Sequence, residues 1–463
     1  YFKNREEYLM ENIKIDKIKT VYFLGVGGIG MSALAHYFLQ SGVNVFGYDL
    51  HPTAITDELS QHGAKLHFEE KVQAIPAQVD FVIHTPAVPI EHAEYQYFIK
   101  NKIPIYKRAD VLGWLSQQFL NIAVAGTHGK TTITAMIAYL LHEEKRIMAF
   151  IGGIAKNFDT NFLTDTNPEW VIEEADEYDK SFLKLFPDSA VISSIEPDHL
   201  DIYGNREKLE TAFNLFANQI RNNGALIISE KASPKITYPF KFTYGFDPSS
   251  DYKISNIQLF PTYSTFVICY KKICFFNVKL SITGLHNVLN ATAAFAVAHQ
   301  LDIPAETAIN KLSTFTGVKR RFDYQIVRDD FIFLDDYAHH PEELRALFTS
   351  LKQIYPDKPL TVVFQPHLYS RTRDFFEQFA EVLAIPDKII LLDIYFAREK
   401  PIEGVTSDAL LALIQNKNKI VLSKEMLIPY LLQNKPVLLV TAGAGDISQS
   451  VPLIKQAFEN PSN

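Results

Sequence analysis

Cysteine, tryptophan and methionine are scarce, with two, two and five copies among 463 residues. Two cysteines cannot make the disulfide framework of a small secreted scaffold, and a lone pair, Cys269 and Cys274, lacks the second Cys or His pair of a zinc site. They sit in the apolar run Phe266–Phe276, where alternation around Lys271 and Lys272 predicts a β-hairpin with buried thiols. A reducing, cytoplasmic home is expected. Long hydrophobic runs are also missing. The longest uncharged stretch, Leu280–Leu301, carries Ser, Thr, His and Asn, and Tyr1–Lys19 is charged throughout, so neither membrane insertion nor a signal peptide is expected. Nor is there a surplus of positive charge. Lys plus Arg number 45 against 53 Asp plus Glu, a formal charge of -8, which disfavours nucleic-acid or anionic-membrane partners. An anionic substrate would need local cations.

What is present speaks for folded α/β domains. A 47% hydrophobic content with ordinary Gly (20) and Pro (23) excludes wholesale disorder, and at roughly 150 residues per domain the length predicts about three domains. Strand-like runs at Thr20–Leu24, Asn44–Tyr48 and Val79–His84 alternate with a helical stretch, Met31–Gln40, which predicts a parallel, doubly wound sheet over residues 1–107. A second α/β region, 108–321, opens with the strand Asn121–Ala125. It continues through helix Thr131–Glu143, strands Glu169–Ile172 and Ala190–Ile195, and helix Arg206–Asn222. Short strands without helical period from Phe240 to Leu280 suggest an antiparallel insertion before a helix near Asn287. A third α/β region, 322–463, begins with the strand Phe331–Leu334. The expected fold is thus three α/β domains in series, each on a largely parallel sheet.

The strongest motif follows Asn121–Ala125: Gly126, Thr127, His128, Gly129, Lys130, Thr131, Thr132. It is a phosphate-loop variant, with Val124 where the general pattern has its first glycine. Backbone amides at the helix start face phosphate oxygens, Lys130 supplies a point charge, and the Thr131 hydroxyl suits Mg²⁺. A plain glycine turn is the bland alternative, but strand, Gly, Lys and two Thr occur in the required order. An earlier loop, Gly25-Val-Gly27-Gly28-Ile29-Gly30, also joins strand to helix, with Asp49 ending the next strand. Alone it fits a Rossmann-like dinucleotide site and an NAD-dependent oxidoreductase, a nucleotide-sugar pyrophosphate, or only a tight turn. Residues 173–179 hold five acids, Glu173, Glu174, Asp176, Glu177 and Asp179. Such a run is usually a solvated face, but after a buried-type strand beside a phosphate loop one or two of these acids are expected to hold Mg²⁺. His199, after the strand Ala190–Ile195, is a candidate second-metal ligand or a core histidine. Asp335-Asp336-Tyr337-Ala-His339-His340 and Gln365-Pro-His367-Leu368-Tyr369-Ser-Arg371-Thr-Arg373 place further polar groups after apolar strands, where arginine forks suit carboxylate or phosphate.

Taken in order, these motifs resemble the Mur ligase family over nearly the whole chain. They are Gly25–Ser32, Gly126–Thr132, Glu174–Glu177, Asp198–Tyr203, His286-Asn287 with Asn290, Lys319-Arg-Arg321, Asp335–Pro341 and Gln365–Arg373. The resemblance implies an ATP- and Mg²⁺-dependent amide ligase of cytoplasmic peptidoglycan synthesis. It would join L-alanine to the lactyl carboxylate of UDP-N-acetylmuramate through an acyl phosphate. A relative that attaches a murein tripeptide to the same sugar is the close alternative. The domains then become a UDP-sugar domain (1–107), a P-loop-type ATPase domain (108–321) and an amino-acid domain (322–463), in a monomer or weak homodimer. The resemblance assigns UDP-sugar contacts to Gly27, Gly28, Ile29, Gly30, Ser32, Asp49, His84 and Thr85. It assigns ATP to Gly126–Thr132, His286, Asn287, Asn290, Arg321 and Asp336, and metal to Thr131, Glu174 and His199. The amino acid falls to Tyr337, His339, His367 and Arg371; Lys130, Glu174, His199, His339 and Arg371 form the implied catalytic set. One departure is Leu368, where the family pattern has arginine, which shifts the alanine carboxylate toward Arg371 or Arg373.

Overall fold

The computed structural model describes residues 17–196, 200–397 and 399–459. Short β-branched and aromatic runs form β1 (Thr20–Leu24), β2 (Asn44–Tyr48), β3 (Lys65–His67), β4 (Phe81–His84) and β5 (Ile105–Lys107), ordered β3-β2-β1-β4-β5. Every pairing is parallel. The order reverses beside β1, so the crevice at its carboxyl end, where the first glycine loop begins, is the expected ligand position.

A second sheet runs from β6 (Leu120–Ala125) through β7 (Ile147–Ala155), β8 (Thr160–Thr164), β9 (Trp170–Ala175), β10 (Ser189–Ile192), β11 (Leu226–Ser229) and β12 (Lys241–Gly245) to β13 (Tyr252–Leu259), β14 (Ser264–Tyr270) and β15 (Ile273–Leu280). Its order is β15-β14-β13-β12-β11-β10-β6-β9-β7-β8. β6 lies centrally, parallel to β9 and β10, with Val124 opposite Glu174 and Ala125 opposite Ile192. The strand ends carrying the phosphate loop, the acidic run and Ser193-Ser194 therefore gather on one edge. A third sheet, β16 (Asp323–Val327), β17 (Ile332–Asp336), β18 (Leu360–Phe364), β19 (Lys388–Leu391), β20 (Lys419–Val421) and β21 (Leu438–Ala442), is ordered β16-β17-β21-β18-β19-β20, with only β16 antiparallel to its neighbour.

The chain forms two compact units. One is Tyr1–Ser255, Val267–Val278 and Leu289–Ser313; the other is Asn256–Phe266, Lys279–Val288 and Thr314–Asn463. In the first, apolar packing welds the first sheet's layer to the second sheet: Tyr37, on the helix Ile29–Gln40, meets Phe150 and Phe162 at ring distances of 6.1 and 6.3 Å.

Several expectations are corrected. Cys269 and Cys274 are not buried thiols but a disulfide across the β14–β15 hairpin, because the Lys271-Lys272 turn sets their Cα atoms 4.0 Å apart. The helix from Arg206 stops at Ala217 rather than Asn222. Arg221 is drawn away by its amide's bond to Pro187 O and its ion pair with Asp188, and Asn222 and Asn223 take positive φ. Lys241–Gly245 does not begin an antiparallel insertion; it is parallel to both β11 and β13. The β7–β8 hairpin carries no motif and went unforeseen. Among the described residues no helix is long and apolar enough to cross a membrane.

Candidate active site

The second glycine loop is built for close approach. Gly126 has φ +131°, and a Cβ there would lie 2.1 Å from Ser193 Oγ and within 3.0 Å of two backbone nitrogens. Gly129 has φ +84°, and its Cβ would lie 2.7 Å from Asn290 Oδ1. Both positions thus exclude side chains, since nothing else adopts such φ cheaply in so little space. The serines after β10 brace the loop: the Thr127 amide donates to Ser194 O (3.2 Å), the His128 amide to Ser194 Oγ (3.0 Å), and Ser193 Oγ to His128 O. The helix Lys130–Leu141 starts at Gly129 with no side-chain cap, leaving its first amides to an incoming anion.

Lys130 is the cation of this loop. Nζ donates to Gly126 O at 2.8 Å and to the buried Glu177 carboxylate at 2.7 Å. Burial works against its charge, but Glu177, Asp176 and Glu174 outweigh burial and hold the ammonium above the ordinary lysine pKa. Glu174, on β9, accepts the Gly152 amide at 2.7 Å through Oε1. Thr131 and Thr132 are buried in the helix's first turn. His128 Nε2 stands 3.2 Å from Glu196 Oε2. His199 lies outside the described residues.

The first glycine loop uses its amides differently. Gly25 and Val26 donate to Tyr48 O, and Gly27 donates to Asp49 Oδ2 at 2.6 Å, so Asp49 braces the loop from within. The amides of Gly28, Ile29 and Gly30 remain at the start of the helix Ile29–Gln40, which also lacks a side-chain cap. Ser32 is fully buried; its hydroxyl donates to Ile29 O and accepts from Asn161 Nδ2. Asn161, on β8, also donates to Ile29 O at 2.6 Å. The Arg108 side chain packs against Gly30, where a Cβ would sit 3.1 Å from Cδ and 3.2 Å from Nε and Nη1. On β9, within electrostatic reach of Arg108, fully buried Glu173 accepts Asn121 Nδ2 at 2.6 Å through one oxygen, while the other has no hydrogen-bond partner. Burial pushes this carboxyl up to about 8 against the pull of Asn121 and Arg108. Thr85 packs on Gly25, and His84 keeps a buried Nδ1 without a hydrogen bond beside the Tyr95 ring.

The second unit gathers the other candidates at the carboxyl ends of β17, β18 and β21. Arg320 and Arg321 lie over the Tyr337 ring at 5.0 and 4.8 Å. Arg320 is held by Asp335 (3.1 Å) and Gly443 O (2.6 Å). Asp336 uses both oxygens to fix this turn, accepting the amides of Phe322 (2.6 Å) and Ala338 (2.7 Å), and burial raises it to about 6 despite Arg321. The His339 ring is 6.0 Å from that of His367 and, through burial with Arg371 nearby, falls to a pKa of about 4 despite Glu343. Nδ1 faces Tyr337 O at 2.9 Å, a carbonyl that only accepts, so Nε2 carries the lone pair. His286, near Phe322, is likewise lowered to about 4 by burial and Arg321. Asn287 Nδ2 bonds Thr283 O. Arg371 sits on the helix Tyr369–Asp374 and is half-buried, whereas Arg373 is exposed and paired with Asp374. Leu368, before that helix, takes φ +71°, an uncommon conformation for a bulky residue.

Sequence reasoning passed over Arg108, Asn161, Glu177 and the Ser193-Ser194 pair. Only Glu177 left a signal, as one of five acids with nothing to single it out.

Two glycine-begun helices over parallel sheets and a third sheet with clustered arginines and histidines define a multidomain nucleotide-dependent enzyme. Residues 20–120 match the Mur ligase family catalytic domain, 124–298 the Mur ligase middle domain, and 320–445 the Mur ligase glutamate ligase domain. The chain belongs to the Mur ligase family. It is 41% identical over 460 residues to a UDP-N-acetylmuramate–L-alanine ligase of Cytophaga hutchinsonii, covering 96% of this chain and 98% of that one. With the ligase of the same name from Porphyromonas gingivalis it shares 42% identity over 453 residues, 96% of this chain and 99% of that one. The crystal structure of a UDP-N-acetylmuramate-alanine ligase from Thermotoga maritima superposes with a TM-score of 0.81 at 26% identity, covering 96% of this chain and all of that one.

Proposed function

We propose that the chain is an ATP-dependent ligase that joins L-alanine to UDP-N-acetylmuramate, forming UDP-N-acetylmuramoyl-L-alanine, ADP and phosphate in peptidoglycan synthesis in the cytoplasm. The observation that carries this is similarity to ligases of that name along their full length, with the charged loop of Lys130 intact at its centre.

The chemistry follows from charge. Bringing a sugar carboxylate against a triphosphate sets two anions together, so the loop amides and Lys130 must neutralise the β- and γ-phosphoryl oxygens. The carboxylate oxygen bonds to the γ-phosphorus as the bond to ADP breaks; the neutral amine nitrogen then bonds to the acyl carbon, the C–O bond to phosphate breaks, and the nitrogen's proton passes to the departing phosphate or to solvent. Arg321 adds charge to the phosphates, with His286, Asn287 and Asn290 on the adenine side and Asp336 fixing the Arg321 turn. Uncapped Gly28, Ile29 and Gly30, with Arg108 behind them, hold the pyrophosphate of the UDP-sugar. His84 and Thr85 border the uridine, and Asp49 and Ser32 keep the loop in shape. His339, neutral at pH 7, accepts a hydrogen bond from the amine at Nε2, with Tyr337 and His367 beside it and Arg371 on the amino-acid carboxylate. Mg²⁺ fits the donors present. Among the described residues no cluster of three His, Cys, Asp or Glu side chains could cage a metal, and the oxygens of Thr131 and Glu174 suit an ion that keeps waters and phosphate oxygens as ligands. That ion would supply charge neutralisation at the phosphates.

Phosphate release measured with ATP, UDP-N-acetylmuramate and a panel of alanine, serine, glycine and a murein tripeptide tests the reading. Turnover should require both the sugar and alanine; ATP hydrolysis independent of either would overturn it.

A further inference from the structure

Lys130 already has two partners in its loop. Its ammonium spans from Gly126 O to Glu177 Oε2, at 2.8 and 2.7 Å. Glu177 is 1% exposed and lies just past β9, so this carboxylate has been taken out of water to meet the cation. Its own backbone is pinned too: Glu177 O accepts the Tyr203 hydroxyl at 2.6 Å and the Lys180 amide at 3.0 Å. Tyr203 is buried at the end of the short helix Leu200–Tyr203. A continuous set of contacts therefore runs from Tyr203 through Glu177 and Lys130 to the loop carbonyl at Gly126.

Stripping a buried carboxylate of its counter-charge is strongly unfavourable, so Lys130 cannot simply leave Glu177 when a triphosphate arrives. An ammonium has three N–H donors, and two are used here. We propose that Glu177 is a positioning residue for the reaction: it fixes the Lys130 ammonium so that its third N–H meets the transferring phosphoryl group, and it does so at a cost in nucleotide affinity. The inference rests on the ATP reading of this loop. Its consequence is a split in sign. A carboxylate beside an anion site weakens nucleotide binding, while a tethered ammonium speeds transfer, so removing the carboxylate should help the first and harm the second.

The test is Glu177→Gln, which keeps shape and removes charge, with Tyr203→Phe as a milder companion that removes the hydroxyl anchoring the Glu177 carbonyl. ATP dissociation constants come from calorimetry, kcat from phosphate release. Glu177→Gln should bind ATP roughly threefold to tenfold more tightly and turn over about tenfold more slowly or worse, with Tyr203→Phe moving both the same way by less. Unchanged values, or weaker binding together with slower turnover as for a general loss of structure, would overturn the proposal. If Glu177→Gln does not fold, Tyr203→Phe decides by the same signs. Should the unsubstituted chain bind ATP but form no amide, the ligase reading fails separately, and the affinity change alone judges Glu177.

Discussion

The two glycine loops of the first unit share a plan and differ in where their charge comes from. Each ends a parallel strand and begins a helix of 12 residues with glycine before it and no side-chain cap. The second loop carries its cation in its own helix, Lys130, paired directly with buried Glu177. The first borrows Arg108 from the helix Arg108–Gln118, and the buried acid that feels its charge, Glu173 on β9, has Asn121 on one oxygen and no hydrogen bond on the other. One glutamate is paired with an ammonium, which offsets part of the upward push that burial gives its carboxyl; the other, raised to about 8, is mostly a neutral acid at pH 7. On the proposed function the contrast is intelligible. A loop that takes part in phosphoryl transfer needs a cation fixed at one atom, whereas a loop that only grips an intact pyrophosphate can rely on amides and a cation laid alongside.

The largest expected break falls on the second loop. Lys130→Met should lower kcat by about a thousandfold or more while leaving UDP-sugar affinity by calorimetry unchanged. It also strands Glu177, which would cost about 3–5 kcal/mol of stability unless that carboxyl takes up a proton. The pair Lys130→Met with Glu177→Gln should therefore recover the denaturation midpoint and none of the turnover. If UDP-sugar affinity fell with Lys130, the two loops would not be separable sites.

Buried Glu173 on β9 makes a prediction about pH. A carboxyl whose folded pKa lies above its unfolded value holds its proton more tightly in the fold. Stability is then greatest below the unfolded value and falls as pH rises toward about 8. The slope from this one group reaches about 1.4 kcal/mol per pH unit. Glu173→Gln removes it, so urea melts at a series of pH values should give a flatter profile for the variant and a stability advantage at pH 8. Parallel profiles for the two proteins would mean Glu173 is already ionised in the fold.

Strands, glycine loops and Lys130 were legible because their signals are local: an apolar run, then glycines, then a helix. The same holds for Tyr337, His339 and Arg371, which follow apolar strands. What escaped depends on tertiary placement. Arg108 reads as any arginine until the fold lays it on Gly30, and among five clustered acids only three-dimensional packing separates Glu177, on Lys130, from Glu173, on Asn121. Asp49 and Asp336, expected as ligand contacts, also accept a backbone amide at each oxygen, a bracing role that only the fold shows. The disulfide was missed because a hairpin register, not composition, brings Cys269 to Cys274.

The smallest expected effect tests whether the first loop is held from outside. Asn161 donates to both Ile29 O and Ser32 Oγ, tying the helix start of the first loop to β8 of the second sheet. The second loop has a comparable brace in Ser194, which follows its neighbouring strand. Losing hydrogen bonds of this kind costs about 1 kcal/mol each, so Asn161→Ala should raise KM for UDP-N-acetylmuramate several-fold and leave KM for ATP and kcat within twofold. Steady-state kinetics with each substrate varied in turn distinguishes the outcomes. A shift confined to ATP would mean that the β8 brace serves the second loop through the shared sheet, and the division of labour between the loops would have to be redrawn.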